Sequence, residues 1–179
     1  MKYYAVIDTN VLVSSLLTSN SDSPVVQVVN AVRSNEIIPM YNDVILEEYT
    51  EVLHREKFGF DNSTVEDMLS MIKNRGINCE RKPVSEFLPD ADDVVFYEVA
   101  MSREYSYLVT GNLKHFPKNG HVVSPADMML IIELGIIRPE ILSEPDSLPY
   151  MSIPLGDINA IIMETRLRLR SHIEESGRV

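Results

Sequence analysis

Apolar and polar positions alternate along this chain in blocks, and the first block is Tyr3-Tyr4-Ala5-Val6-Ile7, broken by Asp8-Thr9-Asn10. A short apolar run bounded by polar residues predicts a buried strand, with Val11 to Leu17 starting a helix packed behind it. Pro24 opens a second helical stretch bearing Val25, Val26, Val28, Val29 and Val32, since proline suits the first helical turn. Glu36 to Tyr41 predicts another strand. From Asp43 to Lys57 the period becomes helical: Leu46, Tyr49, Val52 and Leu53 fall on one face and mark its core side. Ser63 with Glu66 three residues later predicts a capping box that opens a helix running to about Arg75, stopped by Gly76.

Residues 77–82 predict a weak strand, and Pro83 to Asp90 an acidic linker bounded by prolines. Val94 to Glu104 is helical, Tyr105 to Thr110 is the clearest interior strand after the first, and His121 to Ser124 is another. Ser124-Pro125 caps a helix that carries Met128 to Leu134 and stops at Gly135. Strands alternating with helices predict a parallel sheet covered on both faces. Pro139, Pro145, Pro149 and Pro154 then predict an irregular connector, followed by a terminal helix over Leu155 to Glu175. The expected division is a domain over 1–135 and an extension over 136–179. That extension's apolar residues, Ile158, Ile161, Ile162, Leu167, Leu169 and Ile173, need a covering surface, either the domain's own core or a second subunit, and the expectation is a self-association surface that allows a homodimer.

Length and composition fit one main domain: 179 residues, 45% of them apolar. The single Cys79 excludes an internal disulfide and reads as a small core residue. Met1 to Asn20 holds no long apolar run behind a basic start, so the expectation is a cytoplasmic protein without a membrane span. A formal net charge of −11 argues against a broad basic surface for nucleic acid. It leaves room for a nuclease, because a cation recruited by carboxylates supplies the positive charge that meets a phosphate.

Four clusters carry candidate chemistry. Asp8 ends the first strand, where ligand crevices of parallel sheets lie, although its position also suits a helix cap. On the third helix Glu48 lies at the edge of the apolar stripe, beside Ile45 and Val52, while Glu47 and Glu51 fall roughly 150° away at ~100° per residue. Pro89-Asp90-Ala91-Asp92-Asp93 places three acids before a helix, more than the macrodipole needs, and crowded carboxylates call for a shared cation. Thr110-Gly111-Asn112 repeats the logic of the opening, with side chains able to orient metal-bound water or simply to turn. Lys114 and His115 read as loop residues, and Arg166, Arg168 and Arg170, two apart on a helix, as a solvated surface.

In their order and spacing these clusters resemble the PIN domain family of metal-dependent ribonucleases over roughly Met1 to Leu134. The motifs are Val6-Ile7-Asp8-Thr9-Asn10-Val11-Leu12, Leu46-Glu47-Glu48-Tyr49-Thr50-Glu51-Val52-Leu53, Asp90-Ala91-Asp92-Asp93 with Ala100 seven residues on, and Leu108-Val109-Thr110-Gly111-Asn112 ahead of His115-Phe116. The resemblance implies an α/β, PIN-like three-layer fold, a central parallel sheet flanked by helices, here with a C-terminal helical extension. It implies endonucleolytic hydrolysis of RNA with Mg²⁺ or Mn²⁺. Within the family it points to the toxins of toxin and antitoxin systems, hence to an antitoxin protein as partner.

Carried over, Asp8, Glu48 and Asp93 take the three principal acidic, metal-holding positions, with Asp92 beside them and Asn10 and Thr110 in support. The fourth acidic position falls on Asn112, whose amide brings no charge and would hold a second metal more weakly. Two rivals remain. A haloacid dehalogenase-like phosphatase needs a second acid two residues after the first, where this chain has Asn10. An inactive PIN-like scaffold would act through partner binding by its C-terminal helix.

Overall fold

The structure, a computed structural model, describes residues 2–135. The expected connector, terminal helix, homodimer surface and Arg166, Arg168 and Arg170 lie outside the described residues. Five strands, β1 (Tyr3–Ile7), β2 (Ile37–Tyr41), β3 (Ile77–Asn78), β4 (Ser106–Val109) and β5 (Val122–Val123), form one parallel sheet in the order β3-β2-β1-β4-β5. Six helices flank it: α1 (Thr9–Leu17), α2 (Pro24–Arg33), α3 (Asp43–Leu53), α4 (Asn62–Arg75), α5 (Ala91–Ala100) and α6 (Pro125–Leu134). This is the expected PIN-like α/β architecture.

The apolar runs explain the centre of the sheet. Ala5, Val6 and Ile7 of β1 and all four residues of β4 are buried, which needs cover on both faces. α5 packs across β1, β2 and β4, while α2 packs on β2, α1 and α6. The chain builds outward from β1 to β2 and β3, then returns to place β4 on the other side of β1. That reversal makes a crevice at the carboxyl ends of β1 and β4. Asp8 and Thr110 are the residues that follow those two ends.

Several boundaries differ from expectation, each for a local reason. α3 ends at Leu53 rather than Lys57, because His54-Arg55-Glu56-Lys57 offers no apolar face; a 3₁₀ turn over Glu56–Phe58 follows. α4 is capped not by a Ser63–Glu66 box but by Asp61, whose carboxylate accepts from the Thr64 amide at 3.1 Å. Glu66 turns instead to His54 Nε2 at 3.5 Å. α5 begins at Ala91, not Val94, because Asp90 caps it, and it stops at Ala100 rather than Glu104. β4 starts at Ser106, since Tyr105 adopts φ 60°, a left-handed conformation outside a strand's range. The strand expected over 77–82 keeps two residues, and Cys79 beside it is half-buried rather than core.

Gly76 closes α4 as expected, but at φ −93° any residue could adopt its backbone. Close approach explains the glycine: a Cβ there would lie 2.6 Å from the carbonyl oxygens of both Ile72 and Pro39. Backbone cannot yield as a side-chain tip can. Gly76→Ala is therefore expected to destabilise by about 1–3 kcal/mol, lowering Tm by about 2–4 °C per kcal/mol for a chain of this size. Thermal unfolding followed by circular dichroism measures this; an unchanged Tm would mean that the β2–α4 contact relaxes freely.

Candidate functional site

Asp8 joins both readings of its position. In extended conformation it caps α1, Oδ1 accepting from the Asn10 amide at 3.2 Å. Oδ2 accepts from Asn10 Nδ2 at 2.7 Å and from Thr110 Oγ1 at 2.5 Å. With 9% of its surface exposed, Asp8 sits at the sheet edge with little solvent. Burial raises its carboxyl above the ordinary range, against the hydrogen bonds of Thr110 and Asn10 and the nearby His115, which pull it down. Asn10 also accepts from the Gly111 amide at 3.0 Å, joining the ends of β1 and β4; a Cβ on Gly111 would lie 3.2 Å from that oxygen.

α3 brings the second acid. Asn42 caps it by accepting from the Ile45 amide at 3.0 Å, and its buried Tyr49 donates to the Ile7 carbonyl at the end of β1. Beside that anchor Thr9 Oγ1 donates to Glu48 Oε1 at 2.5 Å. Burial is the largest influence on the Glu48 carboxyl and raises it. Thr9 opposes, and the charges of Asp8, Asp92 and Asp93 raise it further. Asp8 and Glu48 together, after burial, also hold the Tyr49 hydroxyl well above its usual range.

The third acid comes from the first turn of α5. Asp90 caps this helix, accepting from the Asp92 amide at 3.0 Å, so Asp92 and Asp93 lie inside the helix rather than before it. Asp93 Oδ2 lies 3.1 Å from His115 Nδ1. Its carboxyl is raised, first by burial and also by Asp8 and Asp90, while His115 lowers it. The segment leading into α5 is tied down by buried Glu98, which pairs with Arg81 Nε at 2.6 Å and accepts from the Val84 amide at 3.4 Å.

The corner after β4 differs from expectation in detail. Thr110 donates its proton to Asp8 and accepts from the Asn112 amide at 2.9 Å, so its partners are protein groups. The Asn112 amide nitrogen lies 2.7 Å from His115 Nδ1 and 3.0 Å from Nε2. His115, read from sequence as a loop residue, sits on a 3₁₀ turn over Leu113–His115 and faces Asp93; Lys114 beside it is exposed. Sequence reasoning missed His115 and the capping role of Asp90. The available signal was the three-residue spacing from Asn112 to His115, which is about one helical turn.

A cleft of about 510 Å³ opens between these elements, lined by Glu47, Glu48 and Glu51 of α3 and by Asp90, Asp92 and Asp93. Glu47 and Glu51, placed by helical angle away from the core stripe, thus stand on its wall beside Glu48. Arg55 is the cation in the lining and pairs with Glu51 at 2.8 Å. The donor set suits a divalent cation: hard carboxylate oxygens, crowded at reduced solvation, whose mutual repulsion such a charge offsets. One atom each from Asp90, Asp93 and His115 lies within 4.8 Å of the others. Asn10, at the position where the phosphatase reading requires an acid, has its amide bonded to Asp8 and Gly111.

No helix among the described residues is long and apolar enough to cross a membrane. Comparison with curated proteins gives no significant match, and neither does comparison with solved structures. The PIN domain matches residues 4–114, more than half of the chain and the stretch holding Asp8, Glu48, Asp93 and Asn112. PIN domains are generally metal-dependent nucleases. By that match, and in keeping with its five-stranded parallel sheet flanked by helices, the chain belongs to the PIN domain family.

Proposed function

We propose that this protein is a Mg²⁺- or Mn²⁺-dependent endoribonuclease, with Asp8, Glu48 and Asp93 as its metal-holding catalytic acids. The observation that carries the reading is electrostatic: three carboxyl groups from three separate elements are all raised, chiefly by burial, with Glu48 raised further by Asp8 and Asp93, and Asp93 by Asp8. Carboxylates placed only for capping or solubility are normally spread apart in water. The nuclease domain in this reading covers 1–135, with 136–179 as its extension.

The chain's own residues do the positioning. Thr110 and Asn10 hold the Asp8 carboxylate, Thr9 holds Glu48 through Oε1, and His115 holds Asp93. Asn112 supplies no charge and fixes the corner through Thr110 and His115. A phosphate entering this acidic wall meets repulsion, with Arg55 already paired, so entry depends on a cation. When bound, Mg²⁺ or Mn²⁺ supplies Lewis acidity toward phosphate oxygen and lowers the pKa of water at the site.

RNA rather than DNA as substrate, and the role of a toxin held by an antitoxin protein, rest on the family resemblance of the motifs. Circular single-stranded RNA, which only an endonuclease opens, is the direct test beside circular single-stranded DNA. The full chain with Mn²⁺ or Mg²⁺ is expected to linearise the RNA, and EDTA to stop it. Intact circles with both ions would overturn the reading, while cutting of DNA alone would correct the substrate. Induced expression in bacteria tests the toxin role, with Asp8-dependent growth arrest as the expected result.

A further inference from the structure

We propose that His115 is a metal ligand: with Asp90 and Asp93 it gives the cation site an imidazole nitrogen, and thereby a preference for Mn²⁺ over Mg²⁺. This deepens the reading above and rests on its placing of Asp93 at a cation. The first observation is distance. Nδ1 of His115 lies 3.1 Å from Oδ2 of Asp93. Two ligands at right angles on one ion, with bonds of ~2.2 Å, stand ~3.1 Å apart. Ligands on opposite sides of such an ion stand ~4.4 Å apart, close to the 4.8 Å that encloses the atoms of Asp90, Asp93 and His115. A small side-chain adjustment brings the set onto one ion.

The second observation is how His115 is held. The 3₁₀ turn over Leu113–His115 and the Asn112 amide against both ring nitrogens fix the imidazole plane beside α5. The ring turns its Nδ1 edge to the Asp93 carboxylate, and its proximity to Asp8 helps to lower the Asp8 carboxyl.

The chemical consequence is selectivity. Mg²⁺ takes oxygen ligands and gives up water reluctantly, whereas first-row transition ions accept imidazole and bind nitrogen sites more tightly along the series from Mn²⁺. A site built from carboxylates alone suits both ions and separates them less. With His115 included, the same carboxylates hold Mn²⁺ more selectively over Mg²⁺, and removal of the ring narrows the difference while leaving Mg²⁺ nearly untouched.

Calorimetric titration of the full chain with Mn²⁺ alone and with Mg²⁺ alone reads the affinities, and pulsed electron paramagnetic resonance of bound Mn²⁺ reads nitrogen directly. His115→Ala is expected to weaken Mn²⁺ by about tenfold or more and Mg²⁺ by less than about threefold, and to abolish nitrogen modulation. His115→Gln gives the same reading should the alanine variant not fold. His54→Ala, whose ring contacts Thr50 and Glu66, is expected to change neither. Equal Mn²⁺ affinity with and without His115, no nitrogen modulation in the wild type, or no divalent binding at all would overturn the proposal, leaving only a His115–Asp93 hydrogen bond. Because these readouts need no substrate, His115-dependent Mn²⁺ binding without RNA cleavage would refute the nuclease reading alone, and cleavage with His115-independent binding would refute this one alone.

Discussion

Asp8→Asn is expected to remove metal-dependent RNA cleavage, by about 10²-fold or more, while leaving the metal-free fold at least as stable at pH 7. The substitution is nearly isosteric and deletes one charge. Asparagine favours the N-cap position much as aspartate does. One oxygen still accepts from Thr110 and from Asn10 Nδ2, whereas the new amide group faces the Asn10 backbone N–H and gives up that bond. Against this loss stands the relief of a charge that burial disfavours and that repels Glu48 and Asp93. A net gain of 1 kcal/mol would raise Tm by about 2–4 °C. Asp8→Ala separates the two effects, because it also deletes the acceptor for Thr110 and Asn10 Nδ2 and leaves a poor N-cap residue, at a cost of about 1 kcal/mol for the N-cap change. Wild-type turnover in Asp8→Asn would remove Asp8 from the chemistry. A fall in Tm of several degrees would show that its hydrogen bonds outweigh the repulsion.

The sheet and its carboxyl edge were legible because their signals are local and dense. Tyr3 to Ile7 and Tyr107 to Val109 can bury their side chains only inside a sheet covered on both faces, and each run ends in a polar residue where the strand ends. Helix ends were less legible. Ser63–Glu66 is a valid box in isolation, but Asp61 lies two residues earlier with a stronger acceptor, and the helix starts from it. The site was legible where a residue type is rare in its setting, as with Asp8 after an apolar strand. It was opaque where the meaning of a residue depends on a distant partner. Nothing near Thr9 shows that its hydroxyl meets Glu48, and nothing near His115 shows that it faces Asp93, 22 residues earlier. Such pairings are fixed by strand order, which puts β4 beside β1 and α5 behind both.

Mn²⁺ is expected to stabilise the wild-type chain strongly at neutral pH and hardly at all near pH 4. Asp8, Glu48 and Asp93 are each raised in the fold, chiefly by burial. An acid with a raised folded pKa binds more proton in the native state than in the unfolded one, between its ordinary pKa of about 4 and the raised value. Its contribution is therefore fully present below about pH 4 and is lost as pH rises through the folded pKa. In EDTA, the wild type should lose stability relative to Asp8→Asn over that window; using the difference cancels groups common to both, such as Asp61, whose carboxyl is lowered. A cation reverses the trend, because it binds the deprotonated carboxylates and only the native state assembles them. At a concentration of 100 times its Kd it adds about 2.7 kcal/mol, or about 5–10 °C in Tm. Thermal unfolding at pH 4, 5.5 and 7.5, with EDTA and with Mn²⁺, on both chains, measures all of this. An equal Mn²⁺ shift in Asp8→Asn would place the ion away from Asp8. A wild type that gains on the variant as pH rises in EDTA would mean that hydrogen bonds from Thr110 and Asn10 govern the Asp8 carboxyl more than burial does.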